Sequence, residues 1–118
     1  PDSTVAYEKA VAWQAKKAMA GMDLFEGPVS VQIWAYFAKP KSWSKKKRAA
    51  TVYHTSKPDA DNVVKIICDG MNGVVYRDDA QVVAVTIYKR YTDDKPCVRV
   101  EVHCMARAAQ MVADMEAT

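Results

Sequence analysis

The segment VSVQIWAYF, residues 29–37, limits the possible folds of this chain more than any other feature of the sequence. Apolar side chains recur at every second position, which is the period of a β-strand and not of a helix. The intervening positions include Trp34 and Tyr36, so the second face of this strand is not freely solvated either. The chain has 118 residues, enough for one modest core. We therefore expect one domain, residues 1–118, with this strand in a small sheet.

Further elements are predicted on both sides of that strand. Residues 4–20 have apolar side chains at near-helical spacing, and a second helix is predicted after Pro58, ending at Asn72-Gly73. Residues 80–91 and 97–105 have the composition of strands, which we expect to pair as a hairpin. The final segment ARAAQMVADMEA is rich in helix formers and predicts a short helix. The order indicates an α/β (α+β) fold, with helices packed against a small mixed or antiparallel sheet.

A long basic loop is predicted at about residues 38–58, with a possible helical turn over residues 44–50. The net charge is only +3, yet no acidic residue occurs between Glu26 and Asp59. This distribution is typical of a surface that binds a polyanion. The candidate DNA-binding residues are Lys39, Lys41, Trp43, Lys45, Lys46, Lys47, Arg48 and Lys57. Trp43 either stacks on an unpaired base or anchors the loop, and the sequence leaves both alternatives open.

Several classes of protein are disfavoured by the same sequence. No apolar run approaches the about 20 residues that span a bilayer, and the first residues do not resemble a signal peptide, so we expect a cytoplasmic protein. The three cysteines include no CxxC pair, which argues against a disulfide framework and a zinc ribbon. No P-loop, GxSxG element or dinucleotide-binding glycine pattern is present.

Acidic residues follow the basic loop directly. If Asp59 lies in extended chain and Asp61 in the first helical turn, their carboxylates can converge in front of the helix, as Mg²⁺ requires. Asp78 and Asp79 precede a predicted strand, and neighbouring strand residues point to opposite faces, so only one of them is expected to join the site. Each group also has a structural interpretation, as a solvated helix face with an ion pair or as a polar turn.

Lys65 lies one helical turn after Asp61, where it can pair with Asp61 or reach a phosphate group. Asp69 continues the same helix flank. Three acids and a lysine are the working parts of metal-dependent nucleases, because carboxylates hold the ion and a cation stabilises the charge of the transition state. The basic loop would offset the repulsion between these acids and DNA.

The segment KPDADNVVKIICDGMNGVVYRDDAQVV resembles the central motif of the RusA-type Holliday junction resolvases, which are encoded largely by phages and prophages. The family pattern is D-x-D-N-x-x-K, a few apolar residues with a further Asp, and then D-D-x-Q-V. The preceding PKSWSKKKR and HTSKPD are similar to the basic loop of phage members. The resemblance covers roughly residues 29–102.

The resemblance implies that Asp59, Asp61 and Asp79 bind the catalytic metal and that Lys65 is their basic partner. Asn62, Asp69 and Asp78 match positions with supporting roles. It also implies a homodimer in a bacterial host cell, which cuts four-way DNA junctions by paired, symmetric nicks with Mg²⁺ or Mn²⁺. Each nick leaves a 5′-phosphate and a 3′-hydroxyl.

The sequence departs from the family pattern at its start. Family members usually begin with a strand and a Pro-rich turn before the first helix, whereas this chain opens almost at the helix. The alternative function is a module that binds branched DNA without cutting it, either because the missing strand disables cutting or because the chain has diverged. A basic domain with RNA or a protein as partner is a third possibility.

Overall fold

The computed structural model describes residues 2–116, with side chains from Thr4 onward. Its elements are α1 (Asp2–Met19), β1 (Val29–Ala38), α2 (Lys45–Ala50), α3 (Ala60–Met71), a 3₁₀ turn (Asp79–Gln81), β2 (Val82–Thr92), β3 (Cys97–Cys104) and β4 (Ala109–Glu116). None of the helices in this part of the chain is long and apolar enough to cross a membrane.

The strands form one mixed sheet in the order β2-β1-β3-β4. β1 runs parallel to β2 and antiparallel to β3, and β4 is antiparallel to β3. The alternation in residues 29–37 is confirmed, because Val29, Val31, Ile33 and Ala35 are buried whereas Trp34 and Tyr36 are half-buried. The prediction of helices packed against a small mixed sheet is therefore correct.

Two predicted features of the sheet are wrong. β2 and β3 do not form a hairpin, because β1, which has the most buried face, lies between them and pairs with both. The final segment is not a helix: β4 pairs along its whole length with β3. Met111 and Met115 are fully buried in the core, and this tertiary packing overrides the helix propensity of the segment.

The core lies between the helices and one face of the sheet. Both α1 and α3 contribute buried side chains to it, together with β1, β3 and β4. The helices approach closely at Gly70, where an added Cβ would lie 2.7 Å from a methyl carbon of Val11. The buried side chains of β1, β3 and β4 all lie on the face that packs against α1 and α3, and we call the opposite face the open face.

The basic loop crosses the end of the sheet and returns along the edge of β2. Its short helix α2 is capped by Ser44, whose hydroxyl accepts from the Lys47 amide at 3.1 Å. Further on, the His54 amide donates to the Lys89 carbonyl at 2.9 Å and the Tyr91 amide donates to the Val52 carbonyl at 2.8 Å. The loop thus covers the last part of the β2 edge, and residues 82–88 of that edge have no strand partner within residues 2–116.

Candidate functional site

Two of the predicted acids lie at the start of α3, as expected. Asp59 is the N-cap in extended conformation, with φ −66° and ψ 154°, and Asp61 lies in the first helical turn. Both side chains line one open pocket of about 700 Å³ together with Asn62, Lys65 and Lys57. The buried stripe of α3 faces the core, which leaves this polar flank toward solvent.

The carboxylate of Asp59 is held by a basic residue of the loop. Nζ of Lys57 donates to both oxygens of Asp59 at 2.9 Å. This hydrogen bond, and then the charge of Lys57, lower the pKa of Asp59 below its ordinary value. Asp59 is therefore ionised, and Lys57 occupies both of its carboxylate oxygens.

Lys65 and Asp61 are both exposed, and they also line a second pocket together with Val85 and Ile87 of β2. The ion pairs of the described residues do not include one between Lys65 and Asp61. The structural interpretation of Lys65 as a salt-bridge partner is thus not observed, and its ammonium group faces solvent beside Asp61.

The remaining predicted acids lie at the other end of α3. Asp78 caps the 3₁₀ turn by accepting from the Ala80 amide at 3.0 Å. Asp79 begins that turn, so the two residues are not neighbours on a strand as expected. That only one of them joins the site stays a prediction. Their carboxylates interact with each other, and Asp69 is close enough to interact with Asp79 as well.

The electrostatics of this second group differ from those at the start of the helix. The pKa of Asp79 is raised, first by its hydrogen bond with Asp78, then by partial desolvation and the charges of Asp78 and Asp69. The pKa of Asp78 is lowered by the Ala80 amide and by the shared hydrogen bond. The pair therefore retains a proton more readily than two separate aspartates would.

The two groups of acids are separated by the length of α3. Asp61 and Asp69 are eight residues apart, which is about 12 Å along a helix axis. Asp79 lies near Asp69. Among the side chains that the structure describes, from Thr4 to Glu116, no group of three His, Cys, Asp or Glu residues could hold a metal ion. The chemistry of Asp59 and Asp61 still fits Mg²⁺, because this ion commonly binds one or two carboxylates and several waters.

Packing interactions within the basic loop fix some of its predicted DNA-binding residues. The ring of Trp43 contacts Tyr91 edge-on at 4.8 Å, and Nζ of Lys47 lies 4.7 Å from the Trp43 ring centre. Nζ of Lys39 pairs with Asp93 at 3.0 Å. Trp43 thus anchors the loop, while base stacking by Trp43 stays a prediction. Lys41, Lys45 and Lys46 are exposed, and Arg48 donates to the Pro40 carbonyl at 2.6 Å.

The chain matches the family model for the endodeoxyribonuclease RusA over residues 1–103. The chain belongs to the RusA endodeoxyribonuclease family. A curated relative, the uncharacterized protein YqaN of Bacillus subtilis (strain 168), is 41% identical over 85 residues, which cover 67% of this chain and 58% of YqaN. The match therefore spans little more than half the length of that relative. No solved structure shows significant similarity.

The structure also explains a RusA-family motif residue that sequence analysis did not single out. Gln81 of the D-D-x-Q-V pattern accepts through Oε1 from the amides of Arg77 and Asp78 at 2.9 and 3.1 Å. Its Nε2 donates to the carbonyls of Phe25 and Gly27 at 2.8 and 2.9 Å. Gln81 thereby fixes the 3₁₀ turn that carries Asp79. A glutamine three residues after an N-cap aspartate is the sequence signal of this capping box.

Proposed function

We propose that this protein is a metal-dependent endodeoxyribonuclease that resolves four-way DNA junctions by paired, symmetric nicks. The observation that supports this function most strongly is the polar flank of α3, where Asp59, Asp61 and Lys65 meet beside the basic loop. Family membership supports the same chemistry. The DNA substrate makes the bacterial cytoplasm the proposed place of action.

Asp59, Asp61 and Asp79 are the proposed ligands of Mg²⁺ or Mn²⁺. The bound ion would lower the pKa of the attacking water and offset the charge of the phosphate. Lys65 is the proposed cation for the scissile phosphate, because its ammonium group is exposed one turn from Asp61. Lys57 must leave Asp59 when a metal binds, and a nearby DNA phosphate is its natural new partner.

A homodimer is proposed from the free edge of β2. Residues 82–88 are an edge segment of high β-propensity in which Val83 is 60% exposed and Tyr88 is 45% exposed. Such an edge pairs readily with another strand. In a dimer with two-fold symmetry, the β2 edge of one copy would pair with the β2 edge of the other, and the two strands would run antiparallel. A second copy of the chain is therefore a natural cover for this segment.

Antiparallel pairing of the two edges has a consequence for the acids. The start of β2 in one copy would lie beside residue 88 of the other, and Asp79 is three residues before β2. Lys89, which follows residue 88, lies near enough to Asp59 to affect its pKa. We therefore propose that Asp79 of one copy joins Asp59 and Asp61 of its partner at a shared site.

The lysines of the basic loop are proposed to bind DNA phosphates without regard to sequence. Lys41, Lys45 and Lys46 are exposed for this role, and the release of counterions from DNA would make the affinity depend on salt. The loop ends at Asp59, so DNA held by these lysines would lie next to the proposed metal ligands. The basic loop would therefore hold DNA against the acids that follow the loop in the chain.

The alternative function is a module that binds branched DNA without cutting it. One observation favours it: both oxygens of Asp59 are bonded to Lys57, and the three acids are not assembled within the described chain. The two functions differ in what happens to the DNA once it is bound. The structural basis for DNA binding, the basic loop, is the same in both.

The distinguishing experiment is incubation of the purified protein with a synthetic four-way junction and with linear duplex, with and without Mg²⁺. We expect paired nicks on the junction alone, only with metal, and with ends that a ligase can seal. Metal-independent binding with no nicks in Mg²⁺ or Mn²⁺ would instead support the non-cutting module. Failure to prefer the junction over duplex would argue against both.

A further inference from the structure

The open face of the sheet carries a group of aromatic side chains that the proposed nuclease site does not use. Trp34 of β1 is the register partner of Tyr88 of β2, and Tyr36 is the partner of Arg90. Tyr53 of the returning loop is bridged to Arg90 on the other side. We call these five residues the aromatic patch.

Two rings of the aromatic patch are exposed and the other two are half-buried. Tyr53 is 58% exposed and Tyr88 is 45% exposed, and Trp34 and Tyr36 are half-buried. Within the described residues, the ring-to-ring contacts join Phe37, Trp43, His54 and Tyr91 and involve no ring of the patch. The guanidinium of Arg90 lies 5.8 Å from the Tyr53 ring centre. The patch therefore presents unstacked rings beside a cation.

The charges of the open face divide it into two halves. β1 and β2 contain no acidic residue at all, whereas Glu101, Asp114 and Glu116 are carried by β3 and β4. Arg99, which adjoins Trp34, is bonded to Glu101 and Asp114 and so belongs to the second half. A polyanion is therefore repelled by the β3–β4 half and not by the half that carries the patch.

We propose that the aromatic patch binds single-stranded DNA by stacking its bases on Trp34, Tyr36 and Tyr88, with Arg90 against a phosphate. Adjacent strands are about 4.8 Å apart, so neighbouring rings on them can receive successive bases. Duplex DNA does not fit this surface, because its bases are already stacked on each other. The ligand is thus an unpaired segment of DNA.

This surface is distinct from the proposed nuclease site. Asp61 and Lys65 border Val85 and Ile87, which share a sheet side with the buried Val31 and Ile33, and the patch lies on the other side. Binding of single-stranded DNA at the aromatic patch is an activity separate from junction cutting, because it uses a second surface on the open face of the sheet. The proposed homodimer pairs through the β2 edge, which extends the sheet and leaves this face open. A second copy stacked on the face itself is the competing occupant.

The test measures binding of a short fluorescein-labelled oligothymidylate by anisotropy. The variant with Trp34→Ala and Tyr88→Ala loses two stacking contacts and should bind at least about tenfold more weakly. Tyr88→Phe keeps the ring and should bind like the wild type. Val112→Ala, an exposed apolar residue on the β3–β4 half, is the matched control and should change nothing.

If the double variant does not fold, Tyr88→Ala alone is the test, because Tyr88 is exposed and its replacement should leave the fold intact. This single variant should bind oligothymidylate several-fold more weakly. Unchanged oligothymidylate affinity in a folded variant would overturn the proposal. Loss of binding that accompanies dissociation of the protein into monomers would also overturn it, because Tyr88 then acts through the interface between copies. The wild-type protein should bind oligothymidylate equally with and without Mg²⁺, even if it cuts no junction, which keeps this proposal separable from the nuclease assignment.

Discussion

The two ends of α3 carry the same residue type in opposite electrostatic settings. At the first end, Lys57 pairs with Asp59 and lowers its pKa, and Lys65 lies beside Asp61. At the second end, Asp79 lies near Asp69 and Asp78, and its pKa is raised. The helix dipole acts in the same sense, because it favours ionised acids at the start of a helix and opposes them at the end.

The comparison shows that neither end alone resembles a complete metal site. At the first end, Asp59 is already paired with Lys57, and at the second end the carboxylates repel each other and lack a lysine. A divalent ion would relieve the repulsion at the second end, and a DNA phosphate would draw Lys57 from the first. The two ends are therefore complementary, as a site shared between two copies requires.

The largest effect is expected where one acid is removed from either end. Asp61→Asn and Asp79→Asn should each reduce single-turnover junction cleavage by at least about a hundredfold, since each removes a proposed metal ligand. Junction binding should be unchanged or tighter, because negative charge near DNA is removed. Asp94→Asn, in the exposed turn between β2 and β3, is the control and should cut normally. Loss of binding in Asp61→Asn or Asp79→Asn would contradict a catalytic role.

A second effect separates the acids from the loop that precedes them. Replacing Lys45, Lys46 and Lys47 by Gln should weaken junction binding and reduce the slope of log affinity against log salt by about 2.7, for three lost phosphate contacts. The same change at Lys9, Lys16 and Lys17, which are exposed on α1, is the matched control and should leave the slope unaltered. Equal slopes for both triple variants would mean that the basic loop does not bind DNA.

A third and smaller effect concerns the cation at the first end. Lys57→Gln should raise the pKa of Asp59 toward its ordinary value and tighten Mn²⁺ binding in the absence of DNA several-fold, because the ion no longer competes with an ammonium group. Electron paramagnetic resonance of free Mn²⁺ measures this directly. Lys95→Gln, a similarly exposed lysine that pairs with Glu116, should have no effect. An unchanged Mn²⁺ affinity in Lys57→Gln would contradict the proposed competition.

The smallest effect concerns the shared proton at the second end. Asp78→Asn keeps a good N-cap but removes one charge, so the pKa of Asp79 should fall toward its ordinary value. Because the pKa of Asp79 is higher in the folded protein than in the unfolded chain, the free energy of unfolding decreases as the pH rises from the unfolded pKa through the folded pKa. Asp78→Asn should reduce this pH dependence. Carbon-13 NMR titration of the Asp79 carboxyl tests the shift. Titration at an unaltered pH would show that Asp78 is not its cause.

Periodicity predicted α1, β1 and α3 because their apolar spacing agrees with their packing. It did not predict β4, where helix-forming residues pair with β3 because Met111 and Met115 fill the core. Periodicity also did not predict the strand order, because the local sequence does not show that β1 pairs with both β2 and β3. In the site, spacing correctly predicted that Asp59 lies in extended chain and Asp61 in the first turn of α3. It could not show that Asp79 lies one helix length away.

The shared site is tested most directly by mixing two inactive variants. Co-refolded Asp61→Asn and Asp79→Asn chains should recover about one quarter of wild-type nicking, because half of randomly formed dimers are mixed and each mixed dimer has one intact shared site. These products should be single nicks and not paired ones. A mixture as inactive as either variant alone would contradict the sharing of acids between copies. Wild-type cutting by either variant alone would contradict the metal site itself.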